Sequence, residues 1–432
     1  MIGQAIFFII LAAAVYLFWK NAAKIRRNIL LGRDAEFSDR PAERWATMAR
    51  VALGQSKMTK RPVAAILHLF VYVGFVIINI EVLEILIDGL FGAHRVFSKP
   101  LGSFYGLLIG GFEVLALSVL LACVIFLIRR NVLKLKRFTG QEMTSWPKSD
   151  ANYILITEVL LMAAFLTMNA ADYKLQALHY SHYLKAGSFP VSEFIAPLLP
   201  SQASALVIVE RVCWWFHIIG ILAFLNYLPY SKHFHILLAF PNTYYSRLQP
   251  KGQFTNMDSV TNEVKAMLDP SFVPEAAEIT RFGAKDVTDL TWKNLMDAYT
   301  CTECGRCTSV CPANITGKKL SPRKIMMDTR DRVTEVGNNI DRHGKDFADE
   351  NTLLDNYITR EELWACTTCN ACVEACPVNI NPLEIITEMR RYIVMEESQA
   401  PASLNNMFGN MENNGAPWKY SQSDRLNWAE KD

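Results

Sequence analysis

The sequence predicts a mostly α protein in two parts: a five-span helical membrane bundle, then a smaller helical domain built around clustered cysteines. Three observations carry this. Hydrophobic residues make up 51% of the 432 positions against 20% charged, and the long apolar runs all fall before residue 240. Five of those runs are long enough to cross ~30 Å of hydrocarbon. Eight of the ten cysteines lie in two dense groups in the polar second half. The net charge of +2 says little, and no basic stretch interleaved with aromatics points to nucleic acid.

The spans fall at about residues 2–19, 63–88, 107–128, 153–170 and 205–228, inside a membrane domain of residues 1–240. The first run has no charged segment before it and no clear small-residue cleavage site after it, so it reads as a retained helix and not as a signal peptide. Five spans put the two ends of the chain on opposite sides. The loops 20–61 and 129–150 carry seventeen Lys and Arg residues; the loops 89–102 and 171–203 carry four. By the positive-inside rule the N-terminus is outside, and everything after Pro229 is in the cytoplasm of a bacterial or archaeal inner membrane. Closely spaced cysteines that bind metal also call for the reducing side.

Neutral imidazole is an axial ligand for haem iron. His68 lies about one turn inside the cytoplasmic start of the second span. His217 and His235 bracket the last span, 18 residues apart, which on a straight helix is one face and ~27 Å. Pro229 makes that alignment approximate. His233 is expected to point elsewhere. His68 and His235 would hold one b-type haem together. His217 lies deeper, and a second haem would need a partner that no other span histidine supplies; His94, His179 and His182 sit in outside loops. The bland alternative is that these histidines are hydrogen-bonded packing residues.

The second span also carries Asn79, Glu81, Glu84 and Asp88, and the third carries Glu113. Acids at membrane depth are costly and face a cavity, a partner or a proton path. A quinone that accepts electrons must also take up protons, so these acids are candidates for a quinone-linked role, with Asp88 and Glu84 alternatively marking the water interface.

The soluble part, residues 241–398, holds Cys301-Thr-Glu-Cys304-Gly-Arg-Cys307-Thr-Ser-Val-Cys311-Pro312 and Cys366-Thr-Thr-Cys369-Asn-Ala-Cys372-Val-Glu-Ala-Cys376-Pro377. Each reads C-x2-C-x2-C-x3-C-P, the bacterial pattern for a [4Fe–4S] cube, in which the fourth cysteine ligates the other cluster. One cube therefore takes Cys301, Cys304, Cys307 and Cys376, and the other takes Cys366, Cys369, Cys372 and Cys311. Zinc would want single tetrahedral sets, not two complete runs with a following proline. This makes the domain a helical 2[4Fe–4S] ferredoxin type. Between the motifs, Ser321-Pro322 opens a helix, and residues 341–350 read as a charged loop. An amphipathic helix follows Pro382 to about Met395. There is no Gly-rich dinucleotide loop, no P-loop and no nucleophilic triad. The tail 399–432 is polar but carries Met407, Phe408, Trp418, Tyr420 and Trp428, more aromatics than a disordered segment holds, and reads as an arm that docks on a partner.

On these residues the chain resembles known proteins. His217, Pro229, Tyr230-Ser231-Lys232 and His235 resemble the last haem-binding helix of the respiratory nitrate reductase gamma subunit family and of the cytochrome subunit of membrane-bound heterodisulfide reductase. The cysteine motifs, with Gly317-Lys318-Lys319-Leu320-Ser321-Pro322 between them, resemble the small iron–sulfur subunit of heterodisulfide reductase. The fusion is similar to membrane-bound iron–sulfur oxidoreductases that pass electrons from electron-transfer flavoprotein or a like donor to menaquinone. The nitrate reductase pattern has a second histidine ten residues after the first; here that position is Ile78. The resemblance implies an electron-transfer subunit, not a complete enzyme, partnered by lipid, quinone, and a separate Cys-rich heterodisulfide-reductase-like subunit or electron-transfer flavoprotein. The alternative from a different class is a membrane anchor or assembly protein whose clusters are structural or redox-sensing.

Overall fold

A backbone in lipid can satisfy its hydrogen bonds only within itself, so the long apolar runs fold as helices. The computed structural model describes residues 2–250, 252–273 and 281–430. It is 69% helical, with no strand among those residues. Five helices are long and apolar enough to cross a membrane: α1 (Ile2–Ile29), α2 (Pro62–Phe91), α3 (Ser103–Leu127), α4 (Ser145–Ala177) and α5 (Ala203–Tyr227). They close a ring in chain order, each packed on the next, with α1 against both α2 and α5. Phe7, Ile109, Phe112, Phe165, Trp214 and Ile218 fill the middle. Helices approach closely in lipid where side chains are small; a Cβ on Gly74 would run into the Val119 side chain of the facing helix.

The second part is capped helices around the cysteine loops. In α7 (Trp292–Thr300) the Thr291 and Asn294 side chains form a capping box. In α8 (Pro322–His343) the Ser321 hydroxyl accepts from the Lys324 amide and Pro322 fills the first position. Asn381 and Pro382 repeat that start in α9 (Pro382–Met395). The helix α8 runs through Asp341 to His343, so the expected charged loop begins only at Gly344. In the tail, α10 (Ala402–Asn414) ends on Gly415, with Phe408 and Met411 exposed on it and Trp418, Tyr420 and Trp428 exposed beyond it.

The two parts share a core. Ile25 and Ile29 of α1 and Leu228 and Phe234 after α5 pack with Leu295, Ile325, Val333, Ile386 and Met389. At about 2 kcal/mol per buried large aliphatic or aromatic side chain, four such residues fix the joint by several kcal/mol. This is why α1 runs past its apolar stretch. Its end enters the cysteine domain, where Asn28 donates to the Tyr299 hydroxyl (2.9 Å) and Arg27 to the Gly337 carbonyl (2.9 Å). Arg33 and Leu290 then bond main chain to main chain (2.7 Å). A Cβ on Gly32 would meet the Trp292 nitrogen at 2.6 Å, so this close approach needs a glycine.

One expectation fails here. His217 and His235 do not lie on one continuous helix. Helix α5 ends at Tyr227, two short turns span Leu228–Tyr230 and Lys232–Phe234, and a new helix, α6 (His235–Tyr244), begins at His235 itself. Pro229 has no amide to continue α5. Asp150 of α4 then accepts from the turn that follows and the helix end before it: Tyr227 hydroxyl (2.6 Å), Ser231 hydroxyl (2.7 Å) and Lys232 amide (3.2 Å).

Candidate redox site at the joint of bundle and cysteine domain

The two cysteine loops exchange their last members. Cys301, Cys304 and Cys307 line one cavity together with Cys376 from the other motif, along with Arg306 and Arg323. Cys311 lies within electrostatic reach of Cys366 and Cys372, and Cys369 joins them. Cys307 also feels Cys372, so the two sets are neighbours. Among the described residues no three His, Cys, Asp or Glu converge on a single-ion position; the first set surrounds a hollow, as a multi-atom cube requires. Burial pushes Cys301 and Cys372 up to about 12 and Cys376 to about 11. Buried thiols of this kind become thiolates only against bound cations, and a site built of them fits an iron–sulfur cube. In the second set Cys369 is exposed.

The first loop is docked on the bundle. Glu303, between Cys301 and Cys304, pairs with Lys232 of the turn after α5 and with Arg330 of α8 (2.8 Å). Lys232 also donates to the Pro147 carbonyl (2.7 Å) and sits 3.7 Å from Asp150. Lys57 donates to the Cys376 carbonyl (3.1 Å), Arg306 to the Lys57 carbonyl (3.0 Å), and Arg323 to Glu142 (2.5 Å). The loops 20–61 and 129–150 thus hold both ends of the Cys301 set.

Next to this loop are three histidines. The rings of His233 and His235 lie 5.5 Å apart. His68 is within electrostatic reach of His235 and of Arg306, and His233 is within reach of both other histidines. The structure therefore brings His68 and His235 together, and it adds His233, which was expected to point away. Burial, then His235 and His68, push His233 down to about 3, and burial lowers His235 as well. His235 turns its Nδ1 to the Lys232 carbonyl (3.1 Å). His217 does the same toward the Leu161 carbonyl (3.0 Å), deep in the bundle against Phe165. Pinning Nδ1 to a carbonyl fixes the tautomer that leaves Nε2 as a metal ligand. His94 instead meets Tyr183 edge-on and faces Asp172 (3.5 Å).

The acids gather at the far end of the bundle. Asp88 accepts the Arg95 and Val96 amides (2.6 and 3.1 Å), and Glu84 accepts the Phe97 amide and the Tyr105 hydroxyl (both 2.8 Å). Glu113 accepts from Asn169 (3.2 Å) and the Val191 and Ser192 amides (2.9 and 3.1 Å). Arg95 ties them together through Asp172 (2.5 Å), Tyr105 (3.2 Å) and Asn169 (2.9 Å). Glu81 differs: it is 3% exposed and its Oε2 has no partner.

Sequence reasoning missed Glu303, Asp150 and Arg95, gave Lys232 no role beyond the resemblance, and set His233 aside. The only signal of the first three was charge beside a motif or a span, which many solvated residues share.

Residues 300–380 match the model of a 4Fe-4S dicluster domain. Over its whole length the chain is similar to the probable iron-sulfur-binding oxidoreductase FadF of Bacillus subtilis, 29% identical over 462 residues and covering 61% of that protein. It is 26% identical over 439 residues to the EtfAB:quinone oxidoreductase of Syntrophomonas wolfei, covering 96% of this chain and 57% of the relative. One subunit of the dihydromethanophenazine:CoB–CoM heterodisulfide reductase of Methanosarcina mazei matches 34% of the chain at 30% identity, which is 36% of that relative's length. The chain thus spans about three fifths of the first two relatives. No solved structure matches it. The chain thus joins a 4Fe-4S dicluster domain to five membrane-length helices, and its relatives include iron–sulfur oxidoreductases.

Proposed function

We propose that the chain carries electrons between a cytoplasmic donor and menaquinone in the membrane, as the redox subunit of a larger oxidoreductase. The donor is a flavoprotein or a Cys-rich heterodisulfide-reductase-like subunit, and the exposed aromatic tail from Gln399 is its docking arm. The observation that carries this reading is the dock between Glu303 and Lys232, which sets the first cysteine loop against His68, His233 and His235. When bound, two [4Fe–4S] cubes and a b-type haem supply one-electron steps between a donor and a quinone. The two cysteine sets hold the cubes side by side. His68 and His235 hold the haem, with the Lys232 carbonyl orienting His235. His217 is oriented in the same way for a second haem, whose other ligand would come from outside the histidine set. Glu81 holds the proton that quinone reduction consumes. Arg95, Glu84, Asp88 and Glu113 keep the far end of the bundle polar around it. The positive loops support a cytoplasmic cysteine domain and an outside N-terminus.

The test is chemical analysis of the gently purified full chain, followed by anaerobic mixing with menaquinol. Iron and acid-labile sulfide at about eight each per chain, a haem absorption band and haem reduction by the quinol are expected. Absence of haem removes the membrane half of the proposal. A haem band that quinol leaves oxidised favours an anchor.

A further inference from the structure

The arginines that make the loops of the cysteine-facing end positive have a second use. Arg61, Arg129, Arg137 and Arg306 come from three separate stretches of chain, yet the first, second and fourth all act on the charge of Arg137. Burial, aided by these like charges, pushes Arg137 down to about 10. None of the four makes an ion pair at 4.0 Å or less among the described residues. Their polar partners are neutral: Arg61 donates to the Ser309 hydroxyl, and Arg306 to the Lys57 carbonyl (3.0 Å) and the Met58 sulfur (3.2 Å). Arg306 is buried and the other three are half-buried, and guanidinium groups gathered like this without an anion are unfavourable. The anion that answers them is at hand. Cys304 is the first attractive charge for both Arg137 and Arg306, Cys376 is a second for Arg306, and Arg306 lines the cavity between those sulfurs. Arg323 lines it too, but Glu142 neutralises that charge.

The other cysteine set is poorer in cations. Its neighbour is Arg390, which donates to the Leu363 carbonyl (2.5 Å) and the Cys366 carbonyl (2.6 Å) and lies over the Trp364 ring at 4.9 Å. Its Cys369 is open to solvent.

We infer that Arg137 and Arg306 raise the reduction potential of the cube on Cys301, Cys304, Cys307 and Cys376 above that of its neighbour, so that electrons run toward the bundle. The inference rests on the reading that two cubes occupy the thiols. Reduction adds one negative charge, and fixed cations beside the sulfurs lower its cost. Water at Cys369 helps the other cube in the same way. Arg306 is buried and Arg137 half-buried, so the two guanidinium groups act with less screening than open water gives and outweigh one wetted sulfur. The step moves one electron from the Cys366 set to the Cys301 set, with no bond made and no proton transferred. A reduced flavoprotein at the exposed Cys369 side replaces the electron. Arg137 belongs to the bundle's own loop, so its share of the bias exists only while the two parts are docked, whereas Arg306 travels with the cysteine motif.

The experiment is an anaerobic redox titration of the full chain in nanodiscs, followed by electron paramagnetic resonance. Cys369→Ser identifies the signal of the outer cube. The Cys301-set signal should have the higher midpoint. Arg137→Gln and Arg306→Gln should each lower that midpoint and leave the other in place, and Arg137→Lys should restore it. Arg390→Gln should lower only the outer one, and Arg425→Gln, in the exposed tail, neither. The inference is overturned if both Gln variants keep full iron content and an unmoved midpoint, or if the Cys301 set titrates at the lower potential. Loss of iron and of both signals in the unmodified chain would instead sink the two-cube reading itself.

Discussion

The two ends of the helical ring are both polar, and they are polar in different ways. At the cysteine-facing end the side-chain charges reach across a boundary: Lys232 to Glu303, Arg323 to Glu142, Arg27 to Asp341. Each of these pairs joins the bundle to the cysteine domain. At the far end the charges close on themselves around Arg95, within one set of helices and their short loops. One network docks two parts; the other builds a polar cluster in a place where polarity is expensive. The difference teaches that charge in a membrane protein has to be read by what it reaches. Asp88 and Glu113 mostly hold loop amides, whereas Glu81 holds nothing.

The largest effect should come from breaking the docked end at its metal. Cys304→Ser removes one thiolate from the first set. About half of the expected eight irons per chain should be lost, as measured by iron and sulfide analysis, and the docked loop with it. At the far end the corresponding break is Arg95→Leu. It strands Asp172 in the bundle and withdraws a donor from Tyr105 and Asn169. Breaking a buried pair by removing one partner costs about 3–5 kcal/mol, so the detergent-solubilised variant should melt well below the parent. An unchanged melting temperature would mean that water already screens this network.

How much of this was legible in the sequence follows the same divide. The cysteine sets were readable because the ligand spacing is local and the chemistry admits few alternatives. The spans were readable because lipid demands long apolar helices. The meeting of His68 with His235 was readable from depth alone. The break between α5 and α6 was only half readable: Pro229 announced a kink, but the bonding of the turn after it to Asp150, 79 residues earlier than Pro229 in the chain, is a tertiary event. The same holds for Glu303 and Lys232, 71 residues apart. Sequence shows that a charge exists; only packing shows whether it docks, caps a loop or waits unpaired.

Lys232→Met separates docking from cofactor binding. Glu303 keeps Arg330, and Asp150 keeps Tyr227 and Ser231, so the loss should be modest, about 1–2 kcal/mol. Iron and haem content should stay near the parent level, while electron passage from reduced cubes to haem slows in stopped-flow absorbance. Equal rates in the two proteins would show that the dock is mechanical only.

Glu81→Gln should give the smallest change in stability and the sharpest functional one. Glutamine keeps the shape of the side chain and removes only the ability to hold or release a proton. The three neighbouring acids would lose stability on such a change, because their oxygens accept main-chain or side-chain donors that an amide nitrogen cannot replace. The Glu81 Oε2 accepts from nothing, so putting an amide there breaks no bond, and unfolding should shift by less than about 1 kcal/mol. If Glu81 hands protons to quinone, quinol-driven haem reduction in the variant should fall by about 10- to 100-fold, within or below the range general acid–base catalysis contributes. Reduction of the same haem from the cubes should be unaffected. A variant that keeps its quinol rate would make Glu81 a tolerated buried acid and shift the proton role to the Glu84 and Asp88 side of the polar cluster, where Asp88→Asn would then be the variant that slows quinol but leaves the cubes in contact with the haem.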